Sequence, residues 1–163
     1  MSRLWLIATL SAVLLSARFC LAAEGEAGQK LPRFVSLRSD QVNLRVGPGE
    51  NYPIDWVLIR KEMPVEIIKE FENWRMIRDW QGTEGWVHER MLTGKRAVVV
   101  KGGIRTLHRH PDPASPAIAR AQPGVIARLL ECRGDWCRID AADHAGWVQR
   151  GDLWGVYPDE IVQ

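Results

Sequence analysis

Internal repetition constrains this chain more than any other feature. Placing Trp74 on Trp136 gives an offset of 62, and Gly85-Trp86 on Gly146-Trp147 gives 61. Leu92 then falls on Leu153 and Gly94 on Gly155, again at 61. Upstream, Leu44-Arg45 lies over Leu107-His108, and Pro48 and Pro53 lie over Pro111 and Pro116, at 63. One-residue changes between these anchors are differences in loop length. Such a period marks a repeated structural unit, and about 60 residues is near the lower size for a domain that folds alone. The join, Thr93-Gly94-Lys95-Arg96, is too short for a loose tether, so the two units are expected to touch or to sit at a restricted angle.

Each unit reads as a series of short strands. In the first, residues 35–37, 42–46, 56–59, 65–69, 74–77 and 86–87 are β-rich runs bounded by Gly, Pro, Asn or Asp. Gly47-Pro48-Gly49-Glu50-Asn51-Tyr52-Pro53 is dense in turn formers and must loop. Residues 97–100, 125–130, 136–139 and 147–148 repeat the order. No stretch keeps a helical period, although single turns are expected over 88–92 and 150–153. Strands at this spacing favour a small barrel.

The first 22 residues stand apart. Arg3 precedes an apolar run, and small residues close it at Ala22 and Ala23. This is the pattern of a secretory signal peptide. Leu4 to Ala17 spans only 14 residues, whereas a bilayer-crossing helix needs about 20. A periplasmic or secreted protein is expected, with no stable membrane insertion after cleavage. Its expected divisions are a signal peptide (1–22), a flexible segment (23–33), a first domain (34–94), a second domain (95–157) and a tail (158–163).

The net charge of the whole chain is +2, which argues against nucleic acid as a partner. The halves differ: residues 34–94 hold 8 basic and 10 acidic side chains, net −2, and residues 95–157 hold 10 and 6, net +4. Cys20 falls in the signal, leaving Cys132 and Cys137 for a disulfide in an exported chain. Cys132-Arg133-Gly134-Asp135-Trp136-Cys137 reads as a hairpin with the cysteines directly opposed, within bonding range at Cα. The matching pair in the first unit is Glu70 and Arg75, an expected cross-strand ion pair at the exposed-pair level of about 0–1 kcal/mol.

Val42-Asn43-Leu44-Arg45-Val46-Gly47-Pro48-Gly49, followed by Tyr52-Pro53, resembles the opening motif of bacterial SH3-like (SH3b) domains. Gly85-Trp86-Val87 resembles their closing motif. The second unit keeps Trp136, Gly146-Trp147-Val148 and Leu153, but its opening reads Thr106-Leu107-His108-Arg109-His110-Pro111-Asp112-Pro113. The resemblance covers about residues 34–157. It implies an all-β chain of two small SH3-like β-barrels in tandem after the signal peptide, and proteins of this kind hold cell-wall or envelope components. Gly47 and Gly49 are expected to supply positive φ in the loop, and Trp74, Trp86, Trp136 and Trp147, present in both copies, are expected to build the cores.

What both units share is expected to be architecture, and what only one carries is available for contact. Tyr52, Trp56 and Trp80 have no aromatic counterpart in the second unit. With Asn43 and Arg45 they form the candidate ligand-binding set, a groove for an extended peptide or a sugar face; packing of Trp56 and Trp80 under loops is the other reading. No catalytic residue is expected: there is no Gly-x-Ser-x-Gly elbow, no phosphate-cradling loop and no free thiolate once the cysteines pair. His108 and His110 with Asp112 or His144 fall short of a convergent zinc set, so neither metal nor cofactor is expected. The function this supports is a non-catalytic exported binding module for peptidoglycan, with an adaptor for an envelope protein as the alternative.

Overall fold

The computed structural model describes residues 28–163. The expected signal peptide, residues 1–22, and the first part of the segment 23–33 lie outside the described residues. Two seven-stranded antiparallel sheets account for the fold. The first holds β1 (Arg33–Leu37), β2 (Val42–Arg45), β3 (Ile54–Leu58), β4 (Pro64–Phe71), β5 (Trp74–Arg78), β6 (Glu84–His88) and β7 (Leu92–Thr93), in spatial order β3-β2-β6-β5-β4-β1-β7. The second holds β8 (Ala97–Val100), β9 (Arg105–His108), β10 (Ala117–Ala121), β11 (Ile126–Arg133), β12 (Trp136–Ala141), β13 (His144–Gln149) and β14 (Leu153–Trp154), in order β10-β9-β13-β12-β11-β8-β14. Position for position the two orders are the same, so the repeat in sequence is a repeat in topology. Among the described residues the helical segments are two 3-10 turns, Glu89–Met91 and Arg150–Asp152, where single turns are expected.

Alternation along the strands explains which side chains meet. Arg75 and Ile77 on β5, and Gly85 and Val87 on β6, are buried, while Trp74, Met76, Trp86 and His88 between them are not. Successive residues of a strand face opposite sides, so the second set covers the outer face. The first interior is built from Leu37, Val42, Leu44, Val65, Ile67 and Ile77, and the second from Val98, Val100, Leu107, Leu129, Ile139 and Val148. These are separate clusters. None of Trp74, Trp86, Trp136 and Trp147 belongs to either, which corrects the expectation that they fill the cores. The reason is a one-residue shift of face. The glycine points inward, where Leu44 occupies the space a Cβ at Gly85 would need, 3.0 Å away, so the tryptophan after it must point out. Trp147 is buried all the same, with the Arg133 guanidinium 5.4 Å from its ring centre.

The opening loop departs from expectation in a similar way. Neither Gly47 nor Gly49 is among the positive-φ residues. A Cβ at Gly47 would lie 2.3 Å from Tyr52 Cδ1, so the glycine makes room for the Tyr52 ring lying across it. The need is steric, and no left-handed backbone is involved.

Cys132 and Cys137 are directly paired on β11 and β12 and form a disulfide with Cα atoms 4.0 Å apart; with so short a loop the bond contributes about 2 kcal/mol. Glu70 and Arg75 occupy the same register on β4 and β5 and are ion-paired at 3.1 Å. The pair is not an exposed one, however. The Glu70 side chain is 1% accessible and that of Arg75 8%, because Arg33 from β1 also holds Glu70 and Glu89 closes over Arg75 at 2.6 Å.

The modules touch. Phe34 on β1 packs edge-on against Trp154 at 5.0 Å and at a tilt against Tyr157 at 4.6 Å, with the Arg96 guanidinium 6.0 Å from its ring centre. The Tyr157 hydroxyl donates to Glu66 across the junction at 2.8 Å. The leading and trailing segments are also engaged: Leu31 is buried in the first core, Glu160 is held by Arg96, and the Cys132 amide donates to the Val162 carbonyl at 3.0 Å. Burial, then the hydrogen bond to the Glu66 carboxylate and its negative charge, push the Tyr157 phenol above its ordinary value of 10.0. A raised folded-state value means that this stabilisation is complete below about pH 10 and is lost as pH climbs towards the folded value. With Tyr52→Phe leaving Tyr157 as the one tyrosine, phenolate absorbance near 295 nm is expected to appear only above the ordinary tyrosine range. Ionisation centred on pH 10 with the protein folded contradicts the junction.

Candidate functional site

The outer face of the first sheet carries a concavity of about 490 Å³, lined by Asn43, Arg45, Glu50, Trp74, His88 and Arg90 among others. β2 supplies Asn43 and Arg45, whose side chains share the outer face because Val42 and Leu44 face the core. β5 and β6 bring Trp74 directly opposite His88, and the two rings meet edge to face at 5.5 Å. The 3-10 turn after β6 then sets Arg90 at the rim, its amide donating to His88 Nδ1 at 3.2 Å. That bond makes Nδ1 the acceptor, so the imidazole carries its proton on Nε2.

The arrangement combines an aromatic face, a side-chain amide, an imidazole donor and two guanidinium groups beside one carboxylate. It can hold an elongated polar segment with a carboxylate of its own, by stacking and charge-assisted hydrogen bonds. His88 has its basic nitrogen engaged with the backbone, which suits it to contact more than to proton abstraction. A larger cleft, about 610 Å³, lies between the modules, but its lining, which includes Ser36, Glu62, Lys95, Arg128 and Asp140, contains no aromatic ring. Trp136 and Trp154 line a further concavity of about 570 Å³ beside Phe34, where Phe34 and Trp154 already pack edge to face.

Of the five residues singled out from sequence, Asn43 and Arg45 line the concavity together. Tyr52 is next to it and oriented by it: Arg45 Nη1 donates to the Tyr52 carbonyl at 2.6 Å, and the Tyr52 ring lies over Gly47 and Gly49 while staying half-exposed. Trp56 and Trp80 are elsewhere. Trp56 sits on β3 opposite Leu44, 58% exposed at the edge of the sheet. Trp80 packs against the first core, in a turn built by Asp79. The buried Asp79 carboxylate accepts from the Gln81 and Thr83 amides at 2.9 and 2.8 Å, and this Asx-type turn folds the indole inward.

Sequence reasoning missed Trp74, His88 and Arg90. The available signal was parity. Once Gly85 faces the core, Trp86 and His88 share the opposite face, and their partners on β5 share it with them. In the second module the equivalent strand pair sets Trp136 against Gln149, and the ring that meets Trp136 edge-on is His108 from β9, at 5.8 Å. His108 stands where the first module has Arg45, so the second copy keeps a Trp–His contact but loses the guanidinium.

The family comparison agrees with this architecture. The sequence matches the bacterial SH3 domain family over residues 38–94 and again over 101–155. A Bacillus subtilis (strain 168) protein named as a candidate N-acetylmuramoyl-L-alanine amidase, YrvJ, is 26% identical over 138 residues, covering 78% of this chain and 25% of its own length. This chain thus spans about a quarter of that relative. Among solved structures, NlpC2 of Trichomonas vaginalis aligns with a TM-score of 0.37 at 13% identity, over 79% of this chain and 50% of that one. An NlpC/P60 family protein of Bacillus cereus ATCC 10987 aligns with a TM-score of 0.34 at 12% identity, over 74% and 55%. Both family matches fall on the seven-stranded sheets, one on each: the chain belongs to the bacterial SH3 domain family and carries two copies of the domain.

Proposed function

We propose that this chain is a non-catalytic binding unit of the cell envelope, whose first module holds a peptide or glycan segment of peptidoglycan across its outer face. The observation that carries the reading is the concavity in which Trp74, Asn43, Arg45, His88 and Arg90 converge. The indole packs against an apolar or sugar face, and Arg45 and Arg90 meet carboxylates of a wall peptide. Three further facts support it: membership in the bacterial SH3 domain family, likeness to a protein named as a candidate N-acetylmuramoyl-L-alanine amidase, and a disulfide that suits an oxidising compartment outside the cytoplasm. Among the described residues no helix is long and apolar enough to cross a membrane.

Retention on purified, insoluble peptidoglycan tests the site. Trp74→Ala and, separately, the exposed pair Asn43→Ala/Arg90→Ala are each expected to lower retention about tenfold, the equivalent of about 1.4 kcal/mol. Trp80→Ala, checked to be folded, leaves retention unchanged. Equal retention of all these proteins and the wild type refutes the concavity as the binding face. A second reading, an envelope protein docked on the second module, draws on the net +4 of residues 95–157. It requires capture of a protein that is lost at high salt, with no wall retention.

A further inference from the structure

On the second sheet two hollows of about 570 and 250 Å³ meet, each lined by Trp136 and Gln149. These residues are directly opposed on β12 and β13, and both face outward because Cys137 and Val148 beside them belong to the core. The larger hollow is walled further by Trp154, by Phe34 of the first module and by Pro158 of the trailing segment. It is complete only with the two modules docked and that segment fastened by Arg96 and Glu160. Trp154 is an aromatic that only the second copy has, since Thr93 stands at its place in the first. The indoles keep faces for contact. Trp154 meets Phe34 with the ring planes 76° apart, and Trp136 meets His108 at 89°. A perpendicular contact leaves each ring at least one face clear of its partner, and neither indole is fully buried.

The charge of this surface differs from that of the first module. Its guanidinium groups are engaged inside the protein. Arg150, 9% exposed, donates from Nη1 to the Tyr157 and Glu160 carbonyls at 2.8 and 2.9 Å. Arg105 holds Asp152 at 3.1 Å and reaches the Lys101 carbonyl. The exposed polar side chains on the larger hollow are Gln149, Asp135 and Lys101, an amide and one charge of each sign. The first module's concavity instead sets the exposed Arg90 beside Arg45.

We infer that the outer face of the second module is a separate binding site for a neutral oligosaccharide. Its pyranose rings lie on Trp136 and Trp154, and its hydroxyl and amide groups meet Gln149, Asp135 and Lys101. A pyranose ring has a flat face of C–H groups and a rim of hydroxyls that both donate and accept. It therefore needs an aromatic surface edged by donors and acceptors together. A peptide rich in carboxylates is served by open guanidinium groups, which the first module has and this face lacks. A wholly apolar segment covers Asp135, Lys101 and Gln149 without pairing them, at the cost of their desolvation. The site does not depend on the concavity around Trp74, so the two readings fail separately.

The test is a titration of the whole chain with the soluble N-acetylglucosamine tetramer to about 10 mM, enough to saturate a site with a Kd near 1 mM. It is followed by the indole N–H signals in two-dimensional NMR. Trp74→Phe, Trp136→Phe and Trp154→Phe assign the signals. Saturable shifts are expected for Trp136 and Trp154 and none for Trp74. Asp135→Ala/Gln149→Ala, both at exposed positions, weakens binding about tenfold or more with the remaining spectrum unchanged. Asn43→Ala/Arg90→Ala leaves it as in the wild type. Absence of any saturable shift overturns the inference, as do shifts confined to Trp74 or binding indifferent to Asp135→Ala/Gln149→Ala. An acidic tetrapeptide, Ala-Glu-Lys-Ala, that moves the Trp136 and Trp154 signals where the tetramer does not also overturns it, by assigning the face to a peptide. Failure of Trp74→Ala to lower retention on peptidoglycan touches only the first module's site.

Discussion

Arg75→Ala is expected to lower the unfolding free energy of the first module by about 3 kcal/mol, at the lower end of the range for breaking a buried ion pair. Arg75 is 7% exposed, and its guanidinium reaches Glu70, Glu89 and the carbonyl oxygens of Glu72 and Trp74, the last two at 2.7 and 2.9 Å. Alanine leaves these acceptors to find other donors, and leaves Glu70 with Arg33 as its remaining ion-pair partner among those described. That surviving partner is why the loss sits at the low end. Urea unfolding followed by tryptophan fluorescence measures it. A cost under about 1 kcal/mol, the level of an exposed pair, contradicts the burial of this cluster. The second module supplies a control, because it fills the same register with a disulfide. Glu70→Cys/Arg75→Cys, oxidised, transplants that solution and is expected to recover about 2 kcal/mol over its reduced form, without reaching wild type, since Arg33 and Glu89 lose their partners.

Gly146→Ala is expected to cost about 2 kcal/mol and Gly85→Ala about 1 kcal/mol, within the range for overpacking a core. A methyl group at Gly146 lands 2.8 Å from Leu107 Cβ and 3.2 Å from the His108 carbonyl oxygen. The latter is backbone in a neighbouring strand and can move only with the sheet. At Gly85 the nearest atoms are Leu44 Cβ, Cγ and Cδ2, at 3.0 to 3.1 Å; the Cβ moves only with its strand, but it lies farther off than the one at Gly146, and Cγ and Cδ2 can turn part of the way aside. Neither glycine is among the positive-φ residues, so alanine adds no backbone strain, and loss of glycine flexibility in the unfolded chain returns part of the cost. Thermal melts of the two variants decide the matter. Equal or reversed destabilisation contradicts the account of why a glycine precedes each tryptophan.

These cases show where the sequence is explicit and where it is silent. The repeat, the strand runs, the two 3-10 turns, the cysteine pair and the Glu70–Arg75 register are all local or periodic facts, and each reads directly from spacing. The candidate site is half legible. Asn43 and Arg45 are found because they belong to a motif; Trp74 is missed because sharing with the second copy assigned the tryptophans to the interior, and His88 because it falls in the turn expected over 88–92. Trp80 fails in the opposite direction. It looks available because only one copy has it, yet the Asp79 turn folds it against the core.

From the sequence alone follow the number of modules, their all-β character and the residues that must oppose one another across a hairpin. All of these depend on periods of two along a strand and of about 60 along the chain. Which face each tryptophan covers, how deeply Glu70 and Arg75 are buried, and which edge stays open were decided only by the tertiary structure. Those properties depend on neighbours far away in the chain: Leu44 behind Gly85, Arg33 and Glu89 around an ion pair, and no described strand beyond β3. A pattern of spacing states which residues alternate; the assembled sheets state which of the two alternating sets meets solvent.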